Sequence, residues 1–91
     1  MALDGQVNFI RMELKLGTTM LALARTERQM WELEGATKAI ANARKALDSA
    51  KRFVSKLKNV DAATIGELMD GIRKLESAIR DYDGGNRAEL K

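Results

Sequence analysis

The sequence predicts an all-α protein, an up-down-up three-helix bundle, from three observations. Apolar residues recur at alternating steps of three and four in three successive segments, which is the spacing of a helix stripe that faces a neighbour. The 91 residues include no proline, and the seven glycines fall mostly near predicted ends, so long helices are not interrupted from within. Aromatic residues make up only 4% of the chain and β-branched residues do not cluster, which argues against a sheet.

The central helix is predicted over residues 36–58, and it carries two apolar rows that merge into one wide face. The first row is Ala36, Ile40, Ala43, Leu47, Ala50, Val54 and Leu57, and the second is Ala39, Ala46, Phe53 and Val60. A face of this width can pack against two other helices. We therefore expect one uninterrupted helix that contacts both of its neighbours.

The first helix is predicted over residues 4–34, with Asp4 as its N-cap and Gly35 in the left-handed position after its end. Its core-facing stripe is Val7, Ile10, Leu14, Gly17, Leu21, Ala24, Arg28 and Trp31. We expect the guanidinium of Arg28 to extend outward and Trp31 to close the corner between helices 1 and 2. Two alternatives stay open at Gly17: a close helix crossing, or a bend in helix 1.

A second apolar row follows the first helix, rotated well away from the core-facing stripe. It consists of Phe9, Met12, Leu16, Met20, Leu23 and Met30. Together the two rows cover more than half of the helix circumference, which is more apolar surface than a peripheral bundle helix needs. The row is either buried against helix 3 or free to bind a partner helix, most simply a second copy of the chain. Helix 1 is also the longest predicted helix, so its start is expected to project beyond its neighbours.

The third helix is predicted over residues 61–82, with Asp61 as its N-cap. Its stripe is Ile65, Leu68, Ile72, Leu75, Ile79 and Tyr82. Asp83, Gly84 and Gly85 are expected to end it. The prediction is therefore one helical domain over residues 1–83, followed by a flexible tail over 84–91.

The net charge of +3 is unevenly distributed, because residues 36–58 carry +6 while the segments on either side carry −1 and −2. Lys38, Lys45, Arg52 and Lys56 align along one outer line of the central helix, and Arg44, Lys51 and Lys58 along another. Such lines could follow a phosphate backbone, which makes nucleic-acid binding the alternative function. No aromatic residue is interleaved for base stacking and the third helix is rich in acids, so a solvated face is favoured.

Catalysis is not expected, because the chain has no histidine and no cysteine. The commonest general base, thiolate chemistry and the commonest metal ligands are therefore missing, and we predict no catalytic residue, no cofactor, no metal and no small-molecule substrate. Glu67 and Asp70 lie one turn apart, but a solvated face with Arg73 and Lys74 in reach is favoured over a weak cation site.

The sequence offers no membrane or secretion signal. An acid stands near the start, where a signal peptide carries basic residues, and the longest apolar run is residues 20–24. A cysteine-free chain also fits a reducing compartment. We expect a cytoplasmic protein without a membrane partner.

The run of residues 42–53, with Leu16-Gly17 and Ala24-Arg25 upstream, resembles small uncharacterised all-helical proteins of bacteria. The first two helices also resemble a single tetratricopeptide-type hairpin, although that repeat's characteristic tryptophan, glycine and tyrosine positions are missing. The resemblance implies a helical hairpin and no activity. We expect a non-enzymatic interaction module that self-associates or binds a partner helix through the second apolar row of helix 1.

Overall fold

The computed structural model describes residues 2–89, with side chains described over 5–84. The chain forms three helices in succession, α1 (Ala2–Gln29), α2 (Leu33–Val54) and α3 (Ala62–Glu89). Each helix contacts the other two, and no strand occurs between residues 2 and 89. The predicted all-α three-helix bundle is confirmed.

The core lies where the three predicted stripes meet. Its buried members from all three helices include Val7, Ile10, Leu21, Ala24, Ala39, Ile40, Ala43, Leu47, Ala50, Leu68, Ile72, Leu75, Ile79 and Tyr82. The share from α2 is mostly alanine, which lets the backbones of α1 and α2 approach closely. The larger side chains come mainly from α1 and α3, and their burial supplies most of the apolar area removed from water.

Gly17 marks the closest crossing, and α1 passes through it as a continuous helix. A methyl group built on Gly17 would lie 2.5 Å from Cδ2 of Leu75 and 3.4 Å from Cβ of Ala46. Both neighbouring helices therefore approach α1 where it has no side chain. The structure therefore shows the close crossing at Gly17, and helix 1 is not divided in two there.

The ends of the first two helices differ from the prediction. α1 already includes Ala2, so Asp4 does not cap it, and it ends at Gln29 rather than at residue 34. α2 begins at Leu33 rather than at residue 36, and it ends at Val54, so Leu57 lies beyond it. The last turn tightens, because the backbone N–H of residue 56 donates to the carbonyl of residue 53 at 3.1 Å.

The start of α3 confirms the predicted cap at Asp61. The backbone N–H of Thr64 donates to Oδ2 of Asp61 at 3.1 Å, and the Thr64 hydroxyl donates to Oδ1 at 2.7 Å. The predicted end at residue 82 is wrong, because α3 continues through Gly84 to Glu89. Glycine permits a left-handed turn but does not require one. The predicted tail over 84–91 is therefore helical as far as residue 89, and its last two residues lie outside the described part.

The start of α1 does not project beyond the bundle as predicted. α1 and α3 have the same length of 28 residues, and Val7 and Ile10 are buried. Val60, in the connection from α2 to α3, packs against the core and lines the same cavity as Val7. The connection therefore covers this part of α1. Leu3 belongs to the same start of helix 1 that was expected to project, and its side chain lies outside the described side chains.

Candidate protein interface

The second apolar row of α1 stays on the surface of the folded chain. Five of its six side chains are exposed, from Met12 at 68% and Met30 at 66% to Phe9 at 37%, with Leu16 and Leu23 between. Met20 is half-buried and packs against the core. We call this set the α1 row. From Phe9 to Met30 it runs about 32 Å along the helix.

The position of α3 explains why the α1 row is uncovered. α3 packs against another side of α1, where Cδ1 of Leu14 approaches Gly71 so closely that a methyl group there would lie 2.9 Å away. On that side Arg11 forms two hydrogen bonds to the carboxylate of Glu67, at 2.8 and 3.0 Å. Burial of the row against helix 3, one of the two predicted alternatives, is therefore wrong.

Next to the α1 row, α2 contributes an aromatic side chain at one end and a shallow groove in the middle. Phe53 is exposed and meets Phe9 edge to face, with ring centroids 4.7 Å apart. The groove, of about 260 Å³, lies between the two helices and is lined by Leu16 and Met20 from the row and by Ala46 from α2. Row, groove and aromatic pair lie side by side, and we call them the apolar face, although polar side chains also line the groove: Glu13, Asn42, Lys45 and Ser49.

The corner between α1 and α2 extends this face at its other end. Met30, Trp31 and Leu33 are exposed in succession, with Trp31 at 82% and Leu33 at 55%. The prediction that Trp31 closes the corner is therefore wrong, since its indole points into solvent. Gly35, predicted to occupy the left-handed position, instead lies inside α2.

Trp31 itself takes the left-handed position, with φ 63°. The N–H of Glu32 donates to the carbonyl of Glu27 at 2.7 Å and the N–H of Trp31 donates to that of Arg28 at 3.1 Å. This is the hydrogen-bond pattern of a Schellman motif, in which glycine is the usual residue at the position of Trp31. Left-handed backbone costs an L-residue about 1–2 kcal/mol. The chain therefore carries backbone strain at its most exposed aromatic residue.

Arg28 ties the end of α1 to α3 rather than extending outward as predicted. Its guanidinium lies 4.3 Å from the ring centroid of Tyr82, and Nη1 donates to the Tyr82 carbonyl at 3.2 Å. The stacking and the hydrogen bond compensate for partial burial of the charge. This contact links α1 to α3 immediately before the corner that carries Trp31.

The two basic lines of α2 differ in their surroundings. Arg44 pairs with Asp83 and Lys51 with Glu76, so the acids of α3 neutralise much of the second line, as predicted. The first line, which is Lys38, Lys45, Arg52 and Lys56, runs beside the apolar face. Lys38 pairs with Glu34 at 3.5 Å, whereas no described carboxylate lies within 4.0 Å of the other three.

Three carboxyl groups on the surface have lowered pKa values because each is hydrogen-bonded in its charged form. The side chain of Arg11 lowers the pKa of Glu67, and that of Lys51 lowers the pKa of Glu76. The Thr64 side chain, followed by its backbone N–H, lowers the pKa of Asp61. These groups connect helices or cap one. Their titration therefore bears on stability rather than on chemistry.

The described side chains bring together no set of three carboxylates that could hold a metal ion. Glu67 pairs with Arg11, and Asp70 pairs with Lys74 at 3.1 Å. Both carboxylates of the weak cation site considered above therefore have basic partners.

No family model, no curated protein and no solved structure matches the chain. Among the described residues, no helix is apolar over a length that would cross a bilayer.

Sequence analysis named the α1 row but missed two of its neighbours. Phe53 was assigned to the core face of α2, and Leu33 was placed in helix 1. Phe53 belongs to the second apolar row of α2, at the edge of the wide apolar face. There its ring contacts Phe9 of α1 but is otherwise left exposed. For Leu33 the signal would have been an earlier start of α2, and no N-capping side chain marks that start.

Proposed function

We propose that the protein is a non-enzymatic, cytoplasmic interaction module that binds the apolar surface of another helix through the α1 row and its neighbours on α2. One observation supports this most strongly: an apolar strip as long as the bundle's central helix stays uncovered in the folded chain. Contiguous exposed apolar surface of this kind marks interaction sites on soluble domains. Methionine at three of the six row positions suits such a surface, since its side chain adapts to irregular partners.

Self-association is the direct test. Light scattering over a concentration series should give a mass that rises above 10.1 kDa, in about 0.5 M salt as well as in dilute buffer, because apolar contacts are little screened. Met20→Glu should return the mass to that of one chain with little loss of helix content. Met12→Glu, at a more exposed position, provides the same test without touching the core. Thr18→Glu, on the opposite side of α1, is the matched control and should leave the mass unchanged.

A natural chain that stays strictly monomeric at high micromolar concentration would remove self-association as the use of this face. Association that survives both row substitutions would show that another surface is responsible.

A second candidate function is nucleic-acid binding by the first basic line of α2. The observation that favours it is that Lys45, Arg52 and Lys56 have no acidic partner among the described side chains. Phosphate binding would weaken steeply with salt, whereas apolar association would not. Retardation of DNA or RNA in a native gel at low salt, abolished by Lys45→Glu, would support this function; no retardation by micromolar protein would reject it.

A further inference from the structure

Resting on the proposed function, we infer that the helix bound by this face is a second copy of the chain in antiparallel orientation, related by a twofold axis close to Met20. Three features lead to this arrangement: the spacing of the α1 row, the opposite charges at the two ends of the apolar face, and the aromatic groups at both ends. Except for the half-buried Met20, the apolar side chains involved are exposed, and so are the charged side chains at the two ends.

Four members of the row, Phe9, Leu16, Leu23 and Met30, are spaced seven residues apart, so their spacing is the same when it is read backwards. Two antiparallel copies of α1 with their midpoint between residues 19 and 20 place Phe9 opposite Met30 of the other copy and Leu16 opposite Leu23. Met20 then lies beside its own counterpart at the axis. A contact that meets itself in this way is the requirement for a twofold interface. The two mismatches are Met12, which falls opposite Glu27, and Met20, which falls opposite Thr19 one residue from its counterpart.

The charges at the two ends of the face are opposite in sign. At the corner, Glu32 and Glu34 are exposed beside Trp31, and Lys38 pairs with Glu34, so the acidic charge there rests mainly on Glu32. At the other end Arg52, Lys56 and Lys58 are exposed, and the ammonium group of Lys56 lies 5.8 Å from the ring centroid of Phe53. An antiparallel pair brings the acidic corner of each copy to the basic end of the other, twice by symmetry. A parallel pair would bring acids to acids and bases to bases, which disfavours it.

The aromatic groups follow the same register. Trp31 of one copy comes to the Phe9–Phe53 pair of the other, at both ends of the interface. In the middle, Glu13 and Lys45 line the same groove, so charge of one sign does not accumulate near the axis. Exposed tryptophan beside exposed phenylalanine is a combination typical of interface anchors. The strained backbone at Trp31 holds its indole away from the chain's own core.

Single cysteines test the register, because the natural chain has none. Under mild oxidation Met20→Cys should form a disulfide-linked dimer in high yield. Met12→Cys should not, since its two copies would be about 22 Å apart in the antiparallel pair. A mixture of Leu16→Cys and Leu23→Cys chains should link to each other in preference to themselves. Efficient self-linking of Met12→Cys would overturn the antiparallel arrangement.

A charge exchange tests the pairing of the ends. Lys56→Glu alone and Glu32→Lys alone should each raise the dimer Kd by about five- to tenfold, because an attraction becomes a repulsion at two sites. The double variant that carries both changes should recover a Kd within about twofold of the natural chain. Arg73→Glu on α3 is the matched control and should change nothing.

The outcomes separate the two proposals. If the chain dimerises but the Kd of the double variant is as high as, or higher than, that of the single variants, association through the α1 row stands. The antiparallel arrangement of the second copy is then wrong. A dimer unaffected by any of these charges contradicts the inference in the same way. A monomer in every variant and in the natural chain overturns the inference and removes self-association as the use of this face.

Discussion

Replacing Trp31 by glycine should stabilise this protein, although it removes the only tryptophan. The residue has φ 63° and its side chain is 82% exposed, so the substitution relieves backbone strain and gives up little burial. The strain amounts to about 1–2 kcal/mol. Glycine also increases the conformational entropy of the unfolded chain, which lowers the free energy of unfolding by about 0.4–1 kcal/mol and offsets part of the relieved strain. The expected gain in the free energy of unfolding is about 0.5–1 kcal/mol, from the difference of these two effects.

Thermal unfolding followed by circular dichroism measures this gain, since tryptophan fluorescence is lost with the substitution. A domain of this size shifts its Tm by about 4–8 °C per kcal/mol, so Trp31→Gly should raise Tm by about 2–8 °C. Trp31→Ala is the control, because it removes the indole but keeps a side chain in the left-handed position; its Tm should stay near that of the natural chain. The experiment is done at low concentration, where association adds nothing to stability. If the glycine variant melts no higher than the alanine variant, the corner is not strained.

Three further predictions concern the core, the helix crossing and the cap. Ile10→Ala should lower the free energy of unfolding in urea by about 2–5 kcal/mol, while the equally apolar but exposed Met12→Ala should change it by less than about 0.5 kcal/mol. Gly66→Ala, where nothing lies within 4 Å, should stabilise by up to about 1 kcal/mol, whereas Gly17→Ala should gain less or lose stability, because Leu75 must move to admit the methyl group. The pKa of Asp61 is lowered by folding, so its contribution to stability is present above its ordinary pKa of 3.8 and lost as the pH falls through the lower folded value. Asp61→Asn, which caps without titrating, should therefore show a smaller fall in Tm on acidification; an equal fall would contradict this assignment.

The helices and the core could be predicted because their signals are repeated many times along the sequence. Between six and eleven residues at helical spacing define each core-facing stripe, so an error at one position does not change the face that is buried. The ends depend on single residues and were less predictable. Gly35 was a reasonable end signal for α1, yet the chain turns four residues earlier at a tryptophan, where no sequence rule favours a left-handed backbone.

The candidate interface was predicted in part for the same reason. The α1 row repeats over six residues, and surplus apolar surface could be recognised from its width alone. Whether α3 would cover it depended on the side of α1 that α3 occupies, which Leu14 and Gly71 decide through their close contact. That contact joins residues 57 positions apart in the sequence, and no local pattern encodes it.

The alanine-rich contact between α1 and α2 has a consequence for how the molecule opens. Those two helices contact each other far more extensively than either contacts α3, and they are joined by a three-residue corner. α3 is held mainly by the large side chains of its own stripe and by the surface ion pairs of Arg11, Arg44 and Lys51. Local fluctuations should therefore release α3 first and leave the α1–α2 hairpin as the last structure to unravel. When α3 departs, the hairpin exposes a second apolar side, opposite the one already open to a partner.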